Sequence, residues 1–445
     1  MQVNIRKYIV LWVLGLLVLI VLYAFSQIWK NDNINNPSRP TGTIEIWSSE
    51  GSTDTLVQTI NDFKSKHPQY NSISFQAKVF KDSETYYDTL MSAFARGKWP
   101  DIFTMNNSDS VALVWERVLP ILENKMSPSY VRQNFDPFIW NELIEMVWSW
   151  DNQMEIIKWV APAFEFLVTF ENSKYTKTSD LKTWASVNNF VNKNKNSRIV
   201  PVGLWNWSNV ENSPAIFTQM LMQDWITGLN NFNNAKVLST SRRYSAFYDS
   251  EQNNYSKYRV LQKAKNENNL DYLAEEKVWI TFWYISDIEK IKNAGMKKSL
   301  LKLSPFPRYV WSDSKVLVDY NYFTISNLTK YPDATTDFLI YLASEDGWRT
   351  YMQNIDYKLP SHTWLIQERL GQKIDSMYNA TYEDIYVESS LYSSFESLLW
   401  TRYDKYVEDV LDGWSISGNY IKVRQGIVCK YEQIINFTWL KNKCF

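Results

Sequence analysis

Residues 93–102, which read Ala-Phe-Ala-Arg-Gly-Lys-Trp-Pro-Asp-Ile, say most about the fold of this chain. Apolar residues recur at helical spacing over 85–95, and small residues followed by a basic turn end that pattern. Pro100 and Asp101 then open an apolar segment, 101–105, with the character of a strand. The stretch therefore predicts a helix, a tight turn and a buried strand in direct succession.

The residues upstream repeat this order of strand and helix. Residues 43–47 alternate as a strand, with Ile44 and Ile46 on one face, and Ser52 opens an amphipathic helix after them. Residues 73–79 also alternate and predict a second strand. Strands that alternate with helices are typical of a parallel sheet covered on both faces, so the sequence predicts an α/β fold.

Polar residues follow each predicted strand, at the end where a parallel sheet binds its ligand. They are Ser48, Ser49 and Glu50, then Lys81 and Asp82, then Asn106 and Asn107. These groups include no paired nucleophile and base, which favours recognition of a polyhydroxylated ligand over catalysis. The alternative is that they are polar loop residues that face only water.

The chain is poor in glycine and rich in tryptophan. Its 445 residues include 12 glycines and 21 tryptophans, whereas average usage gives roughly 31 glycines. One hypothesis is that many tryptophans occupy glycine positions, because a UGA codon that the organism reads as glycine was translated as tryptophan. The alternative is a protein genuinely rich in tryptophan that stacks sugars on its indole rings. A UGG codon at Trp99 would exclude recoding there.

Residues 93–102 resemble the Ala-x-Gly-x-Gly-Pro-Asp-Ile/Val segment of bacterial extracellular solute-binding proteins of family 1. These are the sugar-type, maltose-binding-protein-like components of ABC importers. Weaker similarities follow in the family's order at 114–122, 158–172, 181–184, 276–284, 346–351 and 359–361, so the resemblance spans 43–375. Several tryptophans stand where the family has glycine or a small residue: Trp99, Trp115, Trp159, Trp279 and Trp283. Trp47 and Trp184 stand where members of the family commonly have tryptophan, so we interpret both as genuine tryptophans.

The resemblance implies a two-lobed periplasmic-binding-protein type II fold, in which each lobe is a mainly parallel sheet flanked by helices. It places lobe I at 43–163 plus 305–355 and lobe II at 164–304 plus 356–445. A sugar or oligosaccharide would bind in the cleft between the lobes, which close around it by a hinge motion that ABC permease subunits then read. Aromatic rings suit the apolar faces of sugars. The expected ligand-binding residues are Trp47, Ser48, Glu50, Asp82, Asn106, Asn107, Tyr284, Tyr320 and Asn321.

The N-terminus predicts attachment to a membrane. Arg6 and Lys7 precede an uncharged apolar run over 8–25, which is long enough to cross most of a bilayer core. We interpret residues 1–28 as an uncleaved signal anchor, with a cleaved signal peptide as the alternative, and residues 29–42 as a polar tether. Either reading places the bulk of the chain outside the cytoplasmic membrane. Cys429 and Cys444 either form one disulfide there or remain unpaired.

Two other classes of function stay open. A carbohydrate-active enzyme needs a pair of carboxylates that sequence alone does not identify, and the two histidines, His67 and His362, lack the spacing of metal ligands. A membrane-anchored surface scaffold or sensor with the same fold is the other alternative. The net charge of −1 gives no reason to expect a nucleic acid partner. We predict a binding protein that is not an enzyme and uses no cofactor or metal.

Overall fold

Two sheets organise the chain in the computed structural model. The structure describes residues 41–107, 117–149, 152–176, 181–195, 197, 199–204, 210, 212–225, 234–245, 247, 268–297, 299–309, 316–352, 357–372, 385 and 391–392. The predicted anchor at 1–28, most of the tether, both cysteines and Trp115 lie outside these ranges. Within them, no helix combines the length and the apolar character needed to cross a membrane.

The first sheet has the spatial order β2-β1-β3-β13-β4, with β7 also paired to β13. Its strands are β1 (Gly42–Ser48), β2 (Ile73–Val79), β3 (Ile102–Asn106), β4 (Val118–Leu119), β7 (Trp159–Val160) and β13 (Asn321–Ser326). β1, β2 and β3 are parallel, as the alternation of strands with helices along the chain predicts, and their carboxyl ends share one edge. β13 runs antiparallel to β3 and places Asn321 opposite Asn106 at that same edge.

The second sheet is built around β8, whose ten residues are all buried. Its strands are β8 (Ala163–Asn172), β9 (Val200–Val202), β10 (Val278–Tyr284), β11 (Leu301–Pro305), β12 (Val316–Asp319), β14 (Leu359–Pro360) and β15 (Leu391–Tyr392). Four of them, β10, β11, β12 and β14, run antiparallel to β8. The expectation of a mainly parallel sheet in each lobe is therefore wrong for this sheet. The cause is the path of the chain, since β8 leaves the first sheet whereas β12 returns to it.

Helices cover the sheets, and a separate hairpin of β5 (Ile144–Ser149) and β6 (Asn152–Ile157) precedes β7 in the chain. The helices are α1 (Thr53–Lys66), α2 (Ser83–Ala95), α3 (Pro128–Asn134), α4 (Pro137–Leu143), α5 (Ser173–Thr176), α6 (Trp184–Lys193), α7 (Ser213–Gln223), α8 (Asn234–Ser245), α9 (Asn269–Ala274), α10 (Ile288–Asn293), α11 (Pro332–Ala343), α12 (Glu345–Met352) and α13 (Thr363–Leu370). Ser52 and Asp82 cap α1 and α2, because each side chain accepts a hydrogen bond from a backbone N–H of the first turn.

The chain passes between the sheets at neighbouring points. Residues 161–162 connect β7 to β8, and Tyr320 alone connects β12 to β13. β14 then lies against the start of β8. These passages bring the carboxyl edge of the first sheet against the ends of β8, β12 and β14, and we call this place the junction.

The buried tryptophans differ in how their indole N–H groups are paired. Trp184 donates to Gln223 Oε1 at 3.1 Å, and Trp283, although fully buried, donates to Thr281 Oγ1 at 3.2 Å. The indole nitrogens of Trp99 and Trp279 are buried without a hydrogen bond. A buried unpaired donor costs about 1–3 kcal/mol, but the indole nitrogen of Trp348, which is not a candidate for recoding, is also buried without a hydrogen bond, so an unpaired N–H does not identify a glycine position. Recoding stays a hypothesis that the codons decide.

Trp225 has a backbone conformation that favours glycine. It follows Asp224, the C-cap of α7, and has a φ of 67° with 42% of its surface exposed. Glycine is the usual residue at this position because a Cβ is strained there. We expect Trp225→Gly to raise the free energy of unfolding by about 1 kcal/mol, measured by chemical denaturation.

Trp225→Ala is the matched control, because alanine also removes the exposed ring but keeps the Cβ. It should show no comparable gain. Equal stability of the glycine and alanine variants would contradict the assignment of Trp225 to a glycine position.

Candidate functional site

A buried lysine ties the two sheets together at the junction. Lys358 Nζ lies 2.5 Å from Glu50 Oε1, in the loop after β1, and 2.9 Å from Glu165 Oε1, on β8. The side chains of Lys358, Glu50 and Glu165 are only 7%, 9% and 6% exposed. Ions this buried stay charged only when they are paired, so this bridge links the loop after β1 of the first sheet to β8 and the start of β14 of the second.

Two asparagine side chains extend the bridge into a hydrogen-bonded network. Asn321 Nδ2 donates to Glu50 Oε2 at 3.1 Å, and Asn106 Nδ2 donates to Asp319 Oδ1 at 3.0 Å. Asn106 also approaches Asn321 Oδ1 at 3.4 Å. Asn106 ends β3 and Asn321 begins the facing strand β13 of the first sheet, whereas Asp319 ends β12 of the second, so the network spans both sheets. We call these residues, with Lys358, Glu50 and Glu165, the junction network.

Backbone contacts hold the network in place. Ser48 Oγ accepts from the Glu50 N–H at 3.0 Å and donates to the Glu50 carbonyl at 2.9 Å, which fixes the loop that carries Glu50. Asn107 donates through Nδ2 to the Val318 carbonyl at 2.8 Å and through its backbone N–H to Tyr320 at 3.0 Å. These bonds join the end of β3 to the passage between β12 and β13.

For both Lys358 and Asp319, burial and the opposite charges nearby act on the pKa in opposite directions. Burial opposes the charged form of Lys358, yet Glu165, Glu50 and Asp319 raise its pKa well above the ordinary value. Burial raises the pKa of Asp319 to about 6, even though Lys358 acts to lower it. The network therefore contains one cation and three acids, and one of these acids, Asp319, has a pKa of about 6.

Two of the remaining predicted residues, Trp47 and Tyr284, are half-buried aromatic residues outside the network. Trp47 is half-buried at the end of β1, with Phe80 5.7 Å away between ring centroids and Lys78 Nζ 5.0 Å from its ring. Tyr284 is also half-buried, two residues before Ser286, whose N–H donates to Glu165 Oε2 at 3.2 Å. Trp47 and Tyr284 therefore lie close along the chain to Ser48 and Ser286, which contact Glu50 and Glu165 of the network.

Two candidates have clear structural roles. Asp82 is exposed and caps α2, since its carboxylate accepts from the Thr85 N–H at 2.6 Å. Tyr320 is fully buried, its ring lies edge-on to Tyr322 at 5.0 Å, and the two hydroxyls are 3.2 Å apart. Its backbone rather than its ring takes part in the junction.

A family model for bacterial extracellular solute-binding proteins matches residues 58–365. The chain belongs to this family. Membership agrees with the prediction of a binding protein rather than an enzyme, because the family is defined by solute binding. No curated protein sequence matches the chain.

Solved structures of solute-binding proteins share the fold at low sequence identity. The sugar-binding protein MalE from Xanthomonas citri superposes with a TM-score of 0.65 at 14% identity, over 89% of this chain and 98% of that one. An ABC substrate-binding protein from Listeria monocytogenes, in complex with cycloalternan, gives 0.64 at 12% identity, over 90% and 100%. The GacH receptor of Streptomyces glaucescens, solved free and with acarbose, gives 0.62 at 11% identity, over 89% and 99%. The two-lobed α/β fold is thereby established.

Sequence reasoning missed part of the network in this solute-binding protein. Glu165, Asp319 and Lys358 were not candidates, although each is a charged residue beside an apolar strand segment. A charge in such a position is rarely left unpaired, and that was the available signal. The sequence did not show which of these charges meet. Among the described residues, no cluster of His, Cys, Asp and Glu is arranged to hold a metal.

Proposed function

We propose that this solute-binding protein is the substrate-binding component of an ABC importer and captures a sugar or oligosaccharide at the junction. The observation that carries the proposal is the junction network, a set of hydrogen-bonding groups from both lobes that meet at the carboxyl edge of the first sheet. Ligands of open α/β sheets bind at this edge. The structural neighbours support the choice of ligand, since several were solved with oligosaccharides or an oligosaccharide analogue.

The chemistry of the junction suits a sugar. Carboxylate and amide oxygens accept hydrogen bonds from hydroxyl groups, and Glu50, Asp319 and Asn321 supply such oxygens. Trp47 and Tyr284, which are both half-buried, offer rings for the apolar C–H faces of a pyranose. Of the predicted ligand-binding residues, we retain these with Ser48, Asn106 and Asn107 as the proposed site. We regard Asp82, which caps α2, and Tyr320, whose ring is fully buried, as structural residues outside the proposed site.

Closure of the lobes would retain the ligand. The passages at 161–162 and Tyr320 are short, so they suit a hinge that absorbs rotation over few residues. We propose lobes at 43–163 plus 320–355 and at 164–319 plus 356–445; the expected boundary at 304/305 moves to Tyr320 because β12 pairs with β8 of the second sheet. Residues 1–28 would anchor the protein outside the cytoplasmic membrane, next to the permease subunits that read the closed state.

A thermal-denaturation screen tests the proposal. The full chain is melted with maltotriose, mannotriose, cellotriose and galactose, and with amino acids and dipeptides as controls. Binding to the folded state alone adds about 2.7 kcal/mol at a hundredfold excess over Kd, so at least one sugar should raise the melting temperature clearly. A shift with peptides and none with any sugar would contradict sugar capture.

A further inference from the structure

The loop after β1 carries a second serine beside Ser48. Ser48 is fully buried, and its hydroxyl bonds to the N–H and the carbonyl of Glu50. Ser49 is half-buried instead, so part of this residue is open to solvent. A ligand can therefore reach Ser49 from the surface, whereas the side chains of the Lys358 bridge are almost completely covered.

A buried threonine holds Ser49 in place. Thr104, on β3, is fully buried, and its Oγ1 accepts a hydrogen bond from the Ser49 N–H at 3.0 Å. Ser49 Oγ lies 3.2 Å from the same Thr104 Oγ1. Because the backbone and the side chain of Ser49 both bond to one buried atom, β3 fixes where the Ser49 hydroxyl lies.

Tyr86 of α2 determines which way these hydroxyl groups donate. Its hydroxyl donates to the Thr104 carbonyl at 2.5 Å, and a carbonyl can only accept. Since its single proton is used there, the Tyr86 hydroxyl accepts from the Thr104 N–H at 3.0 Å and from Thr104 Oγ1 at 3.2 Å. Thr104 has no second hydroxyl proton, so Ser49 is the donor in its contact with Thr104.

The direction of this hydrogen-bonded chain makes Ser49 an acceptor toward a ligand. A serine hydroxyl has one proton and two lone pairs, and the proton of Ser49 is directed at Thr104. In the part of the chain that the structure describes, no group donates to the lone pairs of Ser49 Oγ. A ligand atom that meets Ser49 Oγ must therefore bring a proton, which a sugar hydroxyl does and a fluorine or an ether oxygen does not.

We propose that Ser49 binds the sugar directly by accepting a hydrogen bond from one of its hydroxyl groups, with Thr104 and Tyr86 as positioning residues that keep Ser49 an acceptor. The inference rests on the proposed function, because it assigns one contact of the same sugar. It predicts that the site requires a hydroxyl group at one ring position, since a site built to bond a hydroxyl rejects an analogue that lacks it.

A double-mutant cycle between Ser49 and the sugar tests this contact. The probe is the sugar with the largest shift in the thermal screen, titrated into the full chain together with its monodeoxyfluoro derivatives. At one ring position the fluorine should weaken binding to the parent protein about fivefold. Ser49→Ala should bind the unmodified sugar about fivefold more weakly than the parent does, and the fluorine at that position should cost it no further affinity.

Ser74→Ala is the control for the cycle. Ser74 is an exposed serine near the start of β2, so this variant should keep the affinities of the parent for the sugar and for every derivative. Fluorine losses that are equal in the parent and in Ser49→Ala at every ring position would overturn the inference.

Replacement of Thr104 tests the positioning role. Thr104→Val keeps a similar shape but removes the hydroxyl, so the sugar should bind about fivefold more weakly and the loss caused by the fluorine should become smaller. Thr104→Ser retains the hydroxyl and should restore both values. Thr59→Val, which removes the hydroxyl of another fully buried threonine, on α1, should change neither.

The outcomes separate the two proposals. Full affinity and an unchanged fluorine effect in Thr104→Val would contradict the positioning role, and if this variant does not fold, the cycle at Ser49 decides alone. If no sugar binds the parent protein, the proposed function is wrong. If a sugar binds but no ring position is coupled to Ser49, only the assignment of Ser49 is wrong.

Discussion

Replacing Lys358 with methionine is expected to lower the free energy of unfolding by about 3–5 kcal/mol at neutral pH. Methionine fills a similar volume but leaves Glu50, Glu165 and Asp319 buried without a counter-charge. Breaking a buried ion pair is costly for this reason, because the partner remains desolvated. Chemical denaturation of the two proteins under identical conditions measures the difference.

The difference in free energy of unfolding between the parent and Lys358→Met should become smaller as the pH falls. In the folded protein burial raises the pKa of Asp319 to about 6, while Lys358 opposes the shift; Glu165, Glu50 and the amide of Asn106 also act on this group. An acid whose pKa is higher in the folded than in the unfolded protein lowers the free energy of unfolding at a pH above its folded pKa. As the pH falls below the folded pKa, the acid takes up its proton and this loss of stability disappears. Without Lys358 that penalty is larger, so the gap between the two proteins should narrow as the pH falls from 7 through about 6.

Lys174→Met is the matched control. Lys174 lies 2.7 Å from Glu276, but the two side chains are 52% and 30% exposed. An exposed ion pair contributes little to stability because water and salt screen it, so this variant should stay close to the parent. A Lys358 variant no less stable than the Lys174 variant would contradict the buried bridge.

Gly347→Ala is expected to destabilise the protein by about 3 kcal/mol or more. Gly347 lies in the first turn of α12, directly against the end of α11. A Cβ at this position would lie 2.6 Å from the Tyr341 carbonyl carbon and 3.0 Å from Leu342 Cα, and backbone atoms cannot rotate away as a side chain can. The packing of α12 against α11 would therefore have to shift.

Gly371→Ala separates this clash from the general effect of losing a glycine. Gly371 is the C-cap of α13 and has an ordinary φ of −73°, and a Cβ added there would meet no other atom within 4 Å. Gly371→Ala should raise the free energy of unfolding of the protein by no more than about 1 kcal/mol. Equal melting temperatures for the two alanine variants would contradict the close approach at Gly347.

Local structure in the first lobe could be predicted because it depends on neighbouring residues. The alternation at 73–79 predicts β2 with its observed bounds, and the helical pattern at 85–95 falls within α2. The second sheet could not be predicted in the same way. Every residue of β8 is buried, so its apolar run does not show the direction of the strands beside it.

The residues of the candidate site also differ in whether local sequence could predict them. Ser48, Glu50, Asn106 and Asn107 were predictable, because the carboxyl ends of successive parallel strands share one edge. Lys358 and Glu165 belong to another part of the chain, and only the tertiary fold brings them to Glu50. Their meeting depends on where the chain passes between sheets, which no local pattern encodes.

Calorimetric titration of the best sugar of the thermal screen into Asn106→Ala tests the central claim most directly. Asn106 ends β3 and donates across the junction to Asp319 of the second sheet, so its loss should weaken sugar binding at least about tenfold. Asn71→Ala is the control, an exposed position just before β2 at the opposite edge of the first sheet, and it should bind as the parent does. Full affinity in Asn106→Ala, with a fold as stable as the control, would contradict capture of the sugar at the junction.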